Sequence, residues 1–244
     1  MKKDELGNRM KEFYENVTRY SLPRKTYAII RVDGKAFHTY TKGLNRPFDH
    51  ELIMHMDQTA IYLCSKIQGA KFAYVQSDEI SIMLTDLDDI KTGMWFDGNI
   101  QKMCSVSASM ATSSFNSARS NLTFGNLTNK LAEFDARVFS IPTPIEVENY
   151  FIWRQQDAIR NSISSVAQSM FSHTQLQGKS AKDMLEMCAD KGNPWENFAL
   201  GLKHGRIITR EPYKVGEAVR HKWVAYACPV IVENRNFLRS MIPQ

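Results

Sequence analysis

The sequence of 244 residues has few cysteines, and none of them are paired in the chain: Cys64, Cys104, Cys188 and Cys228 lie far apart, without a Cys-x-x-Cys step. Zinc ribbons and disulfide frameworks both need grouped cysteines, so both are excluded and four reduced thiols, mostly buried, are expected. No run of about 18 apolar residues occurs, which leaves no candidate membrane helix. The opening Met-Lys-Lys-Asp-Glu-Leu carries charge with no apolar stretch behind it, so the cytoplasm is the expected address. Repeats and low-complexity linkers are missing too, and no clean domain break shows. Neither sign of charge dominates: 31 Lys and Arg against 26 Asp and Glu give a net charge of +5, which suits an anionic partner without requiring one.

What is present is ordinary for a folded chain, 43% apolar and 23% charged, and disorder is excluded on that ground. Residues 2–20 place Leu6, Met10, Phe13, Tyr14 and Val17 at helical spacing, which predicts an amphipathic helix ending before Pro23. Tyr27, Ala28, Ile29, Ile30 and Val32 then read as a buried strand that stops at Asp33-Gly34. Asp49 can cap a helix whose apolar residues, from Leu52 to Ile67, recur every three or four positions, and Gly69 ends it. Residues 71–84 read as two strands joined by a tight turn at Gln76-Ser77-Asp78-Glu79. A helix over 95–117 and a fourth strand over 134–139, closed by Pro142 and Pro144, complete the order strand, helix, strand, strand, helix, strand. That is the ferredoxin-like split unit. Beyond it, helices over 146–171 and 180–191 and strands over 206–213 and 222–231 are predicted. The fold class is therefore α+β: an antiparallel sheet with helices in residues 1–144, and a C-terminal α/β extension in 145–244 packed on it as one globular unit.

In this topology the first and third strands are antiparallel neighbours, so Asp33 and Asp78 meet at one end of the sheet although far apart in the chain. Taken alone, Asp33-Gly34 is a plain turn after a core strand, and Asp78 and Glu79 are hairpin residues facing water. Together, two carboxylates beside a glycine and the donors Lys35 and His38 suit a pair of magnesium ions, which favour carboxylates, substrate phosphates and water. The carbonyl of Gly34 is a further candidate ligand. Glu79 is set apart by the alternation of side chains along a strand, which can turn it to the opposite face from Asp78.

Val32-Asp33-Gly34-Lys35-Ala36-Phe37-His38 and Gln76-Ser77-Asp78-Glu79-Ile80-Ser81 resemble the two signature blocks of the tRNA-histidine guanylyltransferase superfamily. Arg46-Pro47-Phe48-Asp49, residues 95–102, Phe134-Asp135-Ala136-Arg137, and Tyr150 with Trp153-Arg154-Gln155 and Asp157 agree in the same order, up to about residue 160. The resemblance implies a polymerase-palm-like fold and addition of nucleotides to RNA 5′ ends in the 3′→5′ direction. It implies two Mg²⁺ ions on Asp33, Gly34 and Asp78, with Glu79 in the same acidic motif. It implies that Lys35, Ala36, Phe37, His38 and Ser77 line a nucleotide, with Gly34 beside them, and that Arg46 and Lys102 reach its triphosphate. ATP or GTP would activate the RNA 5′ end, nucleoside triphosphates would be the substrates, and the chain would assemble as a homotetramer, a dimer of dimers.

One block departs from the pattern. The eukaryotic-type enzymes continue with His-Ile-Asn-Asn-Leu-Tyr-Asn where this chain has Ala158-Ile159-Arg160-Asn161-Ser162-Ile163-Ser164, so the histidine position is Ile159. The chain thus resembles the guanylyltransferase-like branch, whose members restore missing tRNA 5′ nucleotides by template pairing, with G addition to histidine tRNA as the alternative. A nucleotide cyclase on the same fold and a catalytically silent tRNA-binding module are more distant alternatives. For tRNA contact the candidates are Arg137, Arg154, Lys203, Arg206, Arg210 and Lys214. Over 203–222 six basic residues stand against two acids, which serves a solvated strand face as well as an RNA surface. Arg137 and Arg154 also read as structural ion pairs, and His173 and His204 as surface residues.

Overall fold

The computed structural model describes residues 4–120 and 130–244. Its strands are β1 Tyr27–Gly34, β2 Ala70–Gln76, β3 Glu79–Thr85, β4 Phe134–Ile141, β5 Arg206–Val215 and β6 Ala218–Ala227. Its helices are α1 Glu5–Met10, α2 Phe37–Tyr40, α3 His50–Lys66, α4 Ile100–Ser120, α5 Pro144–Gln168, α6 His173–Leu176, α7 Ala181–Asp190, α8 Leu200–His204 and α9 Arg235–Arg239. The strands form one antiparallel sheet in the order β4-β1-β3-β2-β5-β6. Its first four strands have the ferredoxin-like order expected from the sequence. No helix among the described residues is long and apolar enough to cross a membrane.

β1 is apolar from Tyr27 through Ile30 because both its faces are covered there. Ala28, Ile30 and Val32 point into a core shared with Met56, Leu63, Met103 and Phe115 of α3 and α4. Tyr27 and Ile29 point into a second core with Val147 and Phe151 of α5. The same alternation puts Arg31 and Asp33 on the α5 side. Asp49 caps α3 as its position predicts, its carboxylate accepting from Leu52 N at 2.9 Å. Pro144, which closes β4, is also the first residue of α5, a position where its missing N–H costs nothing, and Thr143 caps it.

Three predicted elements differ from the structure. The predicted helix over 2–20 begins outside the described residues at its first positions; α1 passes into a π turn, Lys11–Glu15, and stops. Leu6, Met10, Phe13, Tyr14, Val17 and Tyr20 are all exposed, so no core holds a longer helix there. The helix predicted over 95–117 breaks at Phe96 and Asp97, both in left-handed backbone, and starts only at Ile100. β6 lies four residues earlier than predicted, because the two-residue turn at Gly216-Glu217 sets its register against β5. Only Arg206, Ile207 and Ile208 of β5 pair with β2, so the rest of β5 and β6 projects from the sheet as a ribbon.

His55, on α3, is fully buried against the Phe115 ring, and neither ring nitrogen has a hydrogen-bond partner among the described residues. Burial holds its pKa below the ordinary 6.5, against the pull of Glu51 and Asp49. The unfolded chain therefore takes up a proton that the folded one refuses, so this contribution to stability is complete above pH 6.5 and is lost as pH falls toward the folded value. His55→Leu is expected to flatten the dependence of stability on pH below 6.5, read from urea midpoints; an unchanged slope would clear His55 of this role.

Candidate active site

The register of the sheet places the acids. Asp33 lies across from Glu79 on β3 and from Asp135 on β4. One residue further on, Gly34 N donates to the carbonyl of Asp78 at 3.1 Å. Asp33 and Asp78 therefore meet where β1 passes the β2–β3 turn, and both are half-buried. Burial pushes the Asp78 carboxyl up, hydrogen bonds from the Ser77 hydroxyl and its own backbone pull it down, and the charge of Asp33 raises it again. Ala36 (φ 52) and Ser77 (φ 47) flank the pair in left-handed backbone, which non-glycine residues adopt at a cost and which concentrates at functional sites.

Gly34 is required by packing. A Cβ there would stand 2.3 Å from the ring of Phe37, which is buried among Tyr40, Phe115 and Phe134. Gly34→Ala is expected to destabilise the chain by ~1–3 kcal/mol through displacement of that ring. An unshifted melting curve would show that the ring moves freely.

Glu79 is buried on the α5 face, in a bidentate pair with Arg154: Nε to Oε1 at 2.8 Å and Nη2 to Oε2 at 2.7 Å. Arg154 also bonds Asp157 at 2.9 Å and lies 4.4 Å from the centroid of the Trp153 ring. Burial pushes Glu79 up against the pull of Arg154. Burial also works against the charged guanidinium, but the charge and hydrogen bonds of Glu79 outweigh it and raise Arg154. The two forked hydrogen bonds favour the charged forms of both partners.

The structure gathers only some of the residues expected to line a nucleotide. His38, Arg46, Asp49 and Ser77 share a groove of about 320 Å³ beside the acids. Lys35 is exposed and paired with Glu133 at 2.5 Å. The side chain of Phe37 faces the core, away from any ligand, because Gly34 leaves room for its ring. Lys102 stands near the start of α4, where Ile100 N bonds Tyr20 O, whereas Phe115 of the same helix packs on Phe37. Thirteen residues of helix span about 20 Å, so this chain's fold does not bring Lys102 to Asp33.

The candidate RNA-binding cations divide similarly. Arg154 and Arg206 are buried, Arg206 through an ion pair with Asp57 at 2.6 Å. Lys203 lies over the Trp195 ring and bonds the Glu196 carbonyl. Arg137 is half-exposed and binds Asp33 at 3.3 Å and Asp135 at 3.5 Å. Arg210 and Lys214 are exposed on the projecting ribbon. His204, expected at the surface, is buried beside Trp195. Sequence reasoning missed Arg31, two residues before Asp33 and on its face, whose buried Nε has no hydrogen-bond partner among the described residues. The period of two along β1 was the available signal.

Paired carboxylates at one end of the inner strands of a ferredoxin-like sheet, beside a groove bearing Arg46 and His38, define the class as an α+β nucleotidyltransferase. Residues 7–142 match the sequence profile of Thg1, tRNAHis guanylyltransferase, and the chain belongs to that family. A bacterial tRNA(His) guanylyltransferase (Thg1)-like protein solved in complex with ATP is 43% identical, with a TM-score of 0.88 over 98% of this chain and 99% of that one. Such a protein in complex with GTP is 41% identical, with a TM-score of 0.84 over the same shares. The tRNA(His) guanylyltransferase of Debaryomyces hansenii is 28% identical over 202 residues, 76% of this chain and 74% of that one.

Proposed function

We propose that this chain is a magnesium-dependent nucleotidyltransferase that extends tRNA 5′ ends in the 3′→5′ direction and restores nucleotides missing from truncated tRNAs. The observation that carries this reading is the meeting of Asp33 and Asp78 beside the groove of His38 and Arg46. No group of three or more His, Cys, Asp or Glu side chains that could hold a metal occurs among the described residues. Two carboxylates and the Gly34 carbonyl nevertheless fit Mg²⁺, which completes its shell with phosphate oxygens and water. When bound, the ions would neutralise charge on the attacking and leaving oxygens.

The RNA 5′-monophosphate attacks the α-phosphorus of ATP or GTP and releases pyrophosphate. The 3′-hydroxyl of an incoming nucleotide then attacks the activated 5′ phosphorus and releases the nucleoside monophosphate. Arg46 and His38 face the groove where a triphosphate would lie, and Ser77 holds the Asp78 carboxylate at 2.9 Å. Ile159, in place of the histidine of the eukaryotic-type block, supports template-directed addition over dedicated G addition.

The test is incorporation with Mg²⁺, ATP and all four nucleoside triphosphates, on a 5′-monophosphorylated tRNA lacking its first nucleotide and on full-length histidine tRNA, each with its opposing base varied. Addition that follows the opposing base and prefers the truncated acceptor is expected. G added to histidine tRNA whatever stands opposite would overturn the repair reading in favour of a guanylyltransferase.

A further inference from the structure

The odd-numbered residues of β1 and β4 face the side of the sheet on which α5 lies. Near the acids this surface carries Arg31 beside Arg137 and Asp33 beside Asp135, paired across the two strands. The side chains of Arg137 and Asp135 are about half exposed, so the surface is open to solvent. α5 begins after the far end of β4 and runs back toward the acids. Its Tyr150 packs on Phe139 of β4 and bonds the Ser81 hydroxyl at 2.8 Å, and Arg154 reaches Glu79. Ser81 and Glu79 stand across β3 from Arg31 and Asp33. Trp153, between these anchors, is therefore on the flank of α5 beside the acids.

Trp153 is 48% exposed, whereas Tyr150 and Arg154 on either side of it are buried. An indole left this open forgoes a large gain from burial. The ring is nevertheless held. The Arg154 guanidinium lies 4.4 Å from its centroid, and the Tyr150 ring meets it edge-on at 5.9 Å. Arg154 is itself fixed by Glu79 and Asp157. An oriented aromatic surface is thus presented to solvent beside the paired carboxylates.

A free nucleotide has its own place in the groove of His38 and Arg46. Twelve residues of helix, about 18 Å, separate Trp153 from Ser165 of that groove, which leaves the ring to a different ligand. A shortened RNA stem ends in a base pair whose outer face has lost its stacking neighbour. Bases stack on protein aromatics with little regard to sequence, because each has a π-face. Such tolerance suits an enzyme whose added nucleotide is chosen by pairing.

We propose that Trp153 is a stacking platform for the terminal base pair of the RNA acceptor and positions the RNA 5′ phosphate at Asp33. This rests on the nucleotidyl-transfer reading above.

The experiment compares Trp153→Leu, which keeps apolar bulk without a π-face, with Trp153→Phe, which keeps a smaller one. Incorporation is measured with Mg²⁺, ATP and nucleoside triphosphates on the 5′-monophosphorylated truncated tRNA. In parallel, the same RNA with 2-aminopurine as its 5′-terminal base is titrated with protein, its fluorescence falling on stacking. Trp153→Leu is expected to raise KM for RNA at least fivefold, to abolish the quenching, and to leave ATP affinity by calorimetry unchanged. Trp153→Phe is expected to recover most of both RNA effects. Unaltered KM and quenching in Trp153→Leu would overturn the platform while the transferase reading stands. Equal impairment of the two variants, or a parallel loss of ATP affinity, would also overturn it, by making the ring a packing element of the site. Absence of RNA-dependent incorporation by the unaltered chain would overturn both readings.

Discussion

Asp33→Asn is expected to lower RNA-dependent incorporation by at least about a thousandfold while leaving the melting temperature nearly unchanged. The substitution keeps the shape and removes the charge. Lewis-acid stabilisation at phosphorus is worth several kcal/mol, and each ~1.4 kcal/mol is a factor of ten in rate. Stability should hold because Asp33 is half-exposed and its pair with Arg137, at 3.3 Å, is half-exposed as well. Such pairs contribute at most about 1 kcal/mol. Excess EDTA should reproduce the loss in the unaltered chain. If the Asn variant incorporates nucleotide at the original rate, the metal assignment fails.

The opposite pattern is expected at Arg154, where stability is lost first. Arg154→Met strands the Glu79 carboxylate in a buried site, and removal of one partner of a buried pair costs ~3–5 kcal/mol. The double variant Arg154→Met with Glu79→Leu should recover most of that loss, since apolar replacement of a whole buried pair is often neutral. Incorporation should stay low in the double variant, because Glu79 follows Asp78 directly and the pair fixes the turn against α5. A single variant that melts with the unaltered chain would show that the pair does not brace the turn. Full activity in the double variant would show that its bracing is irrelevant to transfer.

Legibility followed the range of the interactions. The apolar run of β1, the capping Asp49 and the turn at Gln76-Ser77-Asp78-Glu79 are local signals, and the order of elements then requires β1 beside β3. Asp33 and Asp78 were readable for that reason. Phe37 was not, since its burial depends on the missing Cβ of Gly34 and on Phe115 from a distant helix. Lys102 sits at the end of α4 away from Phe37, an arrangement that a sequence block does not record. Arg206 read as a cation available to RNA and Arg154 as that or a structural ion pair, and only the folded chain supplies Asp57 and Glu79 as the partners that bury them.

The sequence by itself determined the α+β order, the acidic turn and the family, because periodicity, caps and motif spacing are written within a few residues of one another. The tertiary structure alone decided which cations are free, which way Glu79 and Gln76 face, and where the cavities lie. Those outcomes depend on the register between strands and on helices packed across the sheet, where one residue of shift reverses every side chain.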